Sequence, residues 1–198
     1  MRKVAILIFD DVEVLDFCGP FEVFSVTGLR GGSPAPFDVY TVAETARPVL
    51  ARNALSVNPK FTIAGCPQPD ILIVPGGFGT RREMHNQALT DWIRDIAAGC
   101  ELIMSVCTGS LLLARAGLLD GLAATTHFGA MDLLRDTATQ STIHPEKRFT
   151  DNGRVLTSAG ISAGIDLSFH IVARLLGHDT AVETARYMEY DWKGVSDR

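Results

Sequence analysis

Three short, continuously apolar stretches constrain the fold of this chain more than any other feature. They are residues 4–9 (VAILIF), 71–74 (ILIV) and 102–104 (LIM). Such runs are typical of strands covered on both faces, as in a parallel sheet under helices. Residues 86–98 lie between the last two runs and carry apolar residues at helical spacing. This alternation predicts an α/β fold, a doubly wound, mostly parallel sheet with helices on both faces as in a flavodoxin-like sandwich, with its site at the carboxyl ends of the strands.

Length, charge and cysteine usage narrow the class of protein. The 198 residues suit a single domain spanning residues 1–198. A net charge of −5 argues against a nucleic-acid partner. No run approaches the roughly 20 apolar residues of a membrane span, so we expect no membrane partner. The four cysteines show no C-x-x-C pairing and no histidine at zinc-site spacing. We therefore expect a cytoplasmic protein with no metal and no structural disulfide.

An acidic loop and a helix follow the first strand. Pro20 suits the first turn of a helix, which predicts that the helix starts near it and buries Phe21 and Phe24. Asp16 then precedes the helix and lies between two large apolar residues. Its side chain either caps the helix, which the sequence favours, or is a carboxylate in an apolar pocket with a shifted pKa.

Residues 105–110 (SVCTGS) join a predicted strand to a predicted helix and place Cys107 at the joint. Small residues two positions before and after the cysteine are what a sharp strand-to-helix turn requires, as in a nucleophile elbow. The first free N–H groups of the following helix would favour the thiolate form. The alternative is a buried cysteine that only packs.

Two further joints fall at the ends of predicted strands. Residues 75–79 (PGGFG) form a glycine-rich turn that would let backbone N–H groups approach a ligand, although they match neither a P-loop nor a dinucleotide fingerprint. His127 ends a short predicted strand, where it is either a structural residue or part of the site.

The last part of the chain predicts a hairpin and a helix. Residues 149–158 predict the hairpin, and residues 159–164 lead into a helix that ends at Gly177.

Taken together, five segments resemble the ThiJ/PfpI family, a branch of the glutamine-amidotransferase-like superfamily. These segments are residues 15–24, 75–79, 105–110, 125–127 and 159–166. The resemblance is greatest to members that hydrate isocyanides, because Asp16 and the pair Cys107-Thr108 fall on their motif positions. Thr108 replaces the histidine of the protease-like branch, and residues 159–166 contain no histidine for a glutaminase triad.

The resemblance implies a cofactor-free enzyme and a homodimer that acts on a small molecule. Cys107 would attack the terminal carbon of an isocyanide, and Asp16 would act as general acid and base to release an N-substituted formamide. The N–H groups of Gly77 and Thr108 would bind the anionic side of the intermediate, and the Thr108 hydroxyl would hold a water molecule or the carboxylate.

The mechanism also needs residues that bind the rest of the substrate. Candidates for apolar walls are Phe17, Phe78, Phe128 and Ile161. His127 matches a histidine that several branches of the family carry near the cysteine, so it does not distinguish among them.

Two other readings of the family motifs remain. One is a cofactor-free glyoxalase III or deglycase-type enzyme that uses the same cysteine on an aldehyde. The other is a non-enzymatic domain that senses a ligand or a redox change through Cys107, related to the sensor half of AraC-like regulators. With Arg198 as the last residue, we expect no helix-turn-helix domain after the α/β unit.

Overall fold

A seven-stranded sheet forms the centre of the molecule, which a computed structural model describes over residues 1–29 and 35–194. The strand order is β10-β11-β7-β6-β1-β2-β5, and every neighbouring pair is parallel except β10 with β11. Its strands are β1 (Arg2–Leu7), β2 (Phe37–Ala43), β5 (Phe61–Thr62), β6 (Ile71–Val74), β7 (Leu102–Ser105), β10 (Phe149–Asp151) and β11 (Val155–Ser158). Two small sheets pair β3 (Val49–Leu50) with β4 (Ser56–Val57), and β8 (Ala123–Ala124) with β9 (Thr142–Ile143).

Helices pack on the sheet in two groups. The described helices are α1 (Val14–Val26), α2 (Thr80–Glu83), α3 (Gln87–Ala97), α4 (Gly109–Arg115), α5 (Met131–Thr137), α6 (Ala163–Leu176) and α7 (His178–Tyr187). Helices α1, α6 and α7 contact one another, whereas α2, α3 and α5 each contact α4. The predicted doubly wound, flavodoxin-like α/β fold is confirmed. Within residues 1–29 and 35–194, no helix is long and apolar enough to cross a lipid bilayer.

The apolar runs read from the sequence form the interior of the sheet. All residues of β6 and β7 are buried, as are the last four of β1. The predicted helix over residues 86–98 is α3, and the side chain of Asn86 caps it by accepting a hydrogen bond from the Leu89 N–H. The predicted hairpin is the antiparallel pair of β10 and β11.

The prediction for the first helix was wrong at its start. Helix α1 begins at Val14, so Pro20 lies in its interior and Asp16 in its first turn. An internal proline removes one helical hydrogen bond. Packing holds this segment in place, because Pro20 is buried and Gly19 lies close against α6. A β-carbon on Gly19 would lie 2.8 Å from Ile165. In this helix Phe21 is 36% exposed, contrary to the prediction that it is buried.

Candidate active site

Cys107 occupies a sharp turn between β7 and α4. Its φ of 55° is in the left-handed region, which is unfavourable for a residue with a β-carbon. The surrounding loops hold this backbone in place: the Cys107 N–H lies 3.2 Å from the carbonyl oxygen of Ser158, and the Cys107 carbonyl accepts a hydrogen bond from Thr126 Oγ1 at 2.8 Å. A β-carbon on Gly109 would lie 2.0 Å from the Val74 carbonyl oxygen. The predicted nucleophile elbow is therefore present, and only glycine fits two residues after the cysteine.

Asp16 enters the same site from the first turn of α1. Its side chain is fully buried, and Oδ2 accepts a hydrogen bond from the Gly76 N–H at 3.0 Å. Its other oxygen, Oδ1, has no hydrogen-bond partner among the described residues. The prediction favoured from sequence, that Asp16 caps the helix, is wrong, because the N-cap residue is Glu13 and the carboxylate instead binds a loop 60 positions away.

The electrostatics of Asp16 differ from those of an ordinary surface carboxylate. Burial raises its pKa from 3.8 to about 7, although the Gly76 N–H and the nearby Cys107 thiol oppose the rise. At neutral pH the group is therefore divided between its protonated and ionised forms. A carboxyl group in this state can both donate and accept a proton during one reaction cycle.

The Cys107 thiol is buried beside this carboxyl group. Burial, followed by the negative charge of Asp16, raises the pKa of the thiol to about 12, and the Thr108 N–H only partly opposes this. The expectation that the helix terminus favours the thiolate is therefore wrong for the resting site, because desolvation and a neighbouring carboxylate outweigh the helix N-terminus. With one proton on the pair, that proton resides on sulfur in the resting site and the carboxylate is its acceptor.

Thr108 connects the elbow to the glycine-rich loop after β6. Its hydroxyl accepts a hydrogen bond from the Gly77 N–H at 3.0 Å and lies 3.1 Å from the Gly77 carbonyl oxygen and 3.0 Å from Thr80 Oγ1. The hydroxyl is thus fixed by the loop. The Gly77 N–H is engaged with it, so the predicted role of Gly77 as a donor to substrate stays a prediction and requires Thr108 to release it.

Gly76 is a site residue that the sequence reasoning passed over. A β-carbon there would lie 2.5 Å from Thr108 N, 2.6 Å from Thr108 Oγ1 and 2.9 Å from Asp16 Oδ2. The amide, the hydroxyl and the carboxylate therefore converge on a space that only glycine leaves open. The sequence signal for this close approach was the pair of successive glycines. The second of them, Gly77, has a φ of 127° and forms a β-bridge with Val12.

His127 lies on the opposite side of the elbow from the glycine-rich loop. Its Nδ1 accepts a hydrogen bond from the Gly129 N–H at 3.1 Å, and its ring packs so closely on Gly160 that a β-carbon there would be 2.3 Å from Cδ2. The histidine therefore holds two loops together next to Thr126, which binds the Cys107 carbonyl. A role for it in binding substrate stays a prediction.

The four predicted apolar walls differ in exposure. Phe17 is buried, whereas Phe78 is 64% exposed, Phe128 is 83% exposed and Ile161 is 37% exposed. Ile161 adopts a left-handed φ of 56° in the loop after β11. Phe78 and Ile161 thus lie in the loops on either side of the elbow, after β6 and β11. Both side chains are exposed, and their role as apolar walls for a substrate stays a prediction.

The structure also bears on metal ligands and disulfides. Over residues 1–29 and 35–194, no three histidine, cysteine or acidic side chains are grouped so as to hold a metal ion. All four cysteines are free thiols.

The sequence and fold resemble those of known proteins. The profile of the DJ-1/PfpI family matches residues 2–174. The chain is 36% identical over 188 residues to isonitrile hydratase of Pseudomonas putida, an alignment that covers 95% of this chain and 78% of that protein. It is 34% identical over 166 residues to the HTH-type transcriptional regulator CdhR of Pseudomonas aeruginosa, which covers 82% of this chain but only 49% of the regulator.

The architecture agrees with these matches. The crystal structure of a ThiJ/PfpI family protein from Pseudomonas syringae superposes with a TM-score of 0.86 at 31% identity, covering 99% of this chain and 78% of that one. The elbow, the two-glycine loop and the acidic first helix turn all lie within the matched residues 2–174. The chain therefore belongs to the DJ-1/PfpI family, also called ThiJ/PfpI.

Proposed function

We propose that this protein is an enzyme that hydrates an isocyanide to an N-substituted formamide. The observation that carries the proposal is the Asp16 carboxyl group, buried beside the Cys107 thiol with a pKa of about 7 and one oxygen unpartnered. An unsatisfied buried acceptor is costly unless a ligand or water supplies a donor. The reaction needs such a group, because a proton must be delivered to carbon and then removed from water.

The first step joins the sulfur to the substrate. The Cys107 thiol passes its proton to Asp16, and the thiolate attacks the terminal carbon of R–N≡C while Asp16 delivers that proton to the same carbon. The product is a thioimidate, R–N=CH–S–Cys107. The proton on the pair is thus consumed, and Asp16 is left ionised next to the covalent intermediate.

The second step adds water and releases the enzyme. Asp16 accepts a proton from water as the oxygen attacks the thioimidate carbon, and it returns that proton to the nitrogen. The tetrahedral intermediate then expels the Cys107 sulfur, which regains a proton from the new hydroxyl group. The net reaction is R–NC plus water to R–NH–CHO, with the pair back in its resting state.

Two groups of Thr108, its backbone N–H and its hydroxyl, suit the charges that develop in these two steps. The Thr108 N–H faces the sulfur and lowers the pKa of the thiol, so it would also stabilise the thiolate as it forms. The Thr108 hydroxyl would orient the attacking water if it exchanged its contact with Gly77 for one with that water. The matched isonitrile hydratase supports the same reaction class.

Turnover of two simple substrates tests the proposal. Purified protein is incubated with one alkyl and one aryl isocyanide, and formamide formation is followed by NMR. Cys107→Ser is expected to abolish turnover, while Cys66→Ser, which changes a half-buried thiol outside the elbow, is the matched control. Turnover by Cys107→Ala would rule out the covalent scheme.

The same assay separates the other candidates. Consumption of methylglyoxal without isocyanide hydration would favour a glyoxalase III or deglycase-type activity. The similarity to the regulator CdhR over 82% of the chain supports a second candidate, a ligand-sensing domain. A sensor would turn over neither compound in any variant.

We further propose that the protein works as a homodimer, as its resemblance to the family implies, and that it does so in the cytoplasm, as its cysteine usage suggests. The mechanism requires a reduced thiol, which the cytoplasm maintains. Light scattering of the purified protein tests the dimer, and a monomeric mass would contradict it.

A further inference from the structure

Two arginines flank an exposed aromatic ring beside the candidate active site. Phe78 directly follows Gly77, and the guanidinium carbon of Arg52 lies 4.3 Å from its ring centroid. The guanidinium carbon of Arg81 lies 5.7 Å from the same ring. An aromatic face attracts a nearby cation, but the ring does not cancel the charge of the cation. Arg52 also lies 3.9 Å from a carboxylate oxygen of Glu13, so its charge has an acidic partner at this edge of the site.

Arg81 carries the charge at this edge that no acid balances. Its Nη1 contacts two neutral oxygens, Gly77 O at 3.2 Å and Thr80 Oγ1 at 3.4 Å. No carboxylate oxygen of the described residues lies within 4.0 Å of it, whereas the neighbouring Arg82 pairs with Asp11 and Glu83. An exposed guanidinium without an acidic partner is available to an anionic ligand.

Hydrogen bonds connect Arg81 to the reacting groups. The Gly77 carbonyl that Arg81 contacts also lies 3.1 Å from Thr108 Oγ1, and the N–H of Thr108 faces the Cys107 sulfur. The guanidinium is thus two hydrogen bonds from the hydroxyl of the residue that follows the nucleophile. Binding at Arg81 requires that a substituent on the carbon bonded to that sulfur extend past Thr108.

We propose that Arg81, with Phe78 beside it, binds a carboxylate on the R group, so that the preferred substrates are isocyanides that carry a carboxylate. This inference rests on the proposed hydratase function and names its substrate class. The isocyanide group itself carries no net charge with which an ion pair could orient it. A carboxylate held in the fork of Arg81, with the intervening carbon atoms against Phe78, supplies that orientation.

A charged substrate and its neutral ester provide the test. Values of kcat/KM are measured for isocyanoacetate and for its methyl ester, with wild type and Arg81→Gln. Glutamine removes the charge but keeps an N–H donor for the Gly77 carbonyl. We expect wild type to prefer the acid, and the acid-to-ester ratio to fall about tenfold in the variant, through KM, as for a partly exposed charge-assisted hydrogen bond.

Two further variants make the test specific to charge at this position. Arg81→Lys keeps the positive charge and is expected to retain most of the preference. Arg186→Ala removes an exposed arginine on α7, away from the site, and is expected to leave both rates unchanged. Added salt should lower the wild-type ratio, because the contact is exposed.

The outcomes separate this inference from the function on which it rests. Hydration of neither compound by wild type would overturn the hydratase function and this inference with it. Hydration of both, with the same acid-to-ester ratio in wild type and Arg81→Gln, would overturn the role of Arg81 alone. Hydration of the acid with a ratio that depends on Arg81 supports both.

Discussion

The carboxylate of Asp16 raises the pKa of the Cys107 thiol, and both groups are buried in one site. The thiol in turn opposes the upward shift that burial imposes on the pKa of Asp16. The pair therefore binds its protons jointly, in the manner of coupled sites. At neutral pH it holds at least one proton, which resides on sulfur until substrate arrives.

Asp16→Asn is expected to change thiol reactivity and catalysis in opposite directions. Removal of the negative charge lowers the pKa of Cys107, so its alkylation by iodoacetamide at a fixed pH should become faster, by about tenfold for each unit of the shift. Isocyanide hydration should fall by roughly 100-fold or more, because the general acid and base is lost. A fall in both rates would indicate structural damage, and an unchanged hydration rate would remove Asp16 from the mechanism.

The rate of hydration is expected to rise with pH and to level off above about 7, the pKa of Asp16. Below that pH the pair holds two protons and lacks a base, whereas above it the single shared proton suffices for both steps. The rise is measured as kcat/KM for a neutral isocyanide, with the rate of Cys107→Ser subtracted as background. A profile that falls across this range would show that protonated Asp16 is needed at the outset.

The contribution of Asp16 to the free energy of unfolding is expected to fall as the pH rises, whereas the rate of hydration rises. Because the folded-state pKa of Asp16 is about 7 and its ordinary value is 3.8, its contribution is complete below about pH 4 and is lost as the pH rises to 7. The loss is at most about 4 kcal/mol. Urea unfolding of wild type and Asp16→Asn should therefore show the asparagine variant gaining relative stability from pH 4 to pH 7. A constant difference between the two would contradict the raised pKa.

The sequence predicted those elements whose apolar spacing is regular. Strand β7 reads as a short buried run, and α3 carries an amphipathic pattern and an N-cap residue, Asn86, because local preference and packing agree there. Helix α1 was misplaced because Pro20 is normally a start signal. Its packing against α6 depends on Gly19 and Ile165, which are far apart in the chain.

The candidate site could be identified from the sequence only in part. Small residues around Cys107 predicted the elbow, since the backbone there leaves no room for a side chain. The ionisation of the thiol could not be predicted, because its pKa depends on burial and on Asp16, which reaches it from another element. The role of Gly76 was missed for the same reason, as its neighbours come from α1 and the elbow.

Thr108→Val is expected to loosen the two-glycine loop. Valine has a similar shape but cannot accept the hydrogen bond of the Gly77 N–H, which would leave a buried donor unpaired at a cost of about 1–3 kcal/mol. Thr108→Ser keeps the hydroxyl and serves as the matched variant. We expect hydration to fall clearly in the valine variant and to be largely retained in the serine variant, and equal rates would contradict a role for the hydroxyl.

Gly76→Ala is expected to inactivate the protein without unfolding it. The new β-carbon would lie under 3.0 Å from the amide nitrogen and hydroxyl of Thr108 and from the Asp16 carboxylate. These three groups of the site must therefore move apart. The three atoms nearest to the added methyl group belong to Thr108 and Asp16, so we expect the rest of the fold to be retained and the circular dichroism spectrum to match that of wild type. Gly65→Ala is the matched control, because its β-carbon meets only Thr62, at an ordinary 3.6 Å. We expect hydration to fall by about 100-fold or more in the first variant, since small displacements of catalytic groups are that costly, and to be unchanged in the second. Full activity in Gly76→Ala would mean that Asp16 and Thr108 do not act on the same small space next to the Cys107 sulfur.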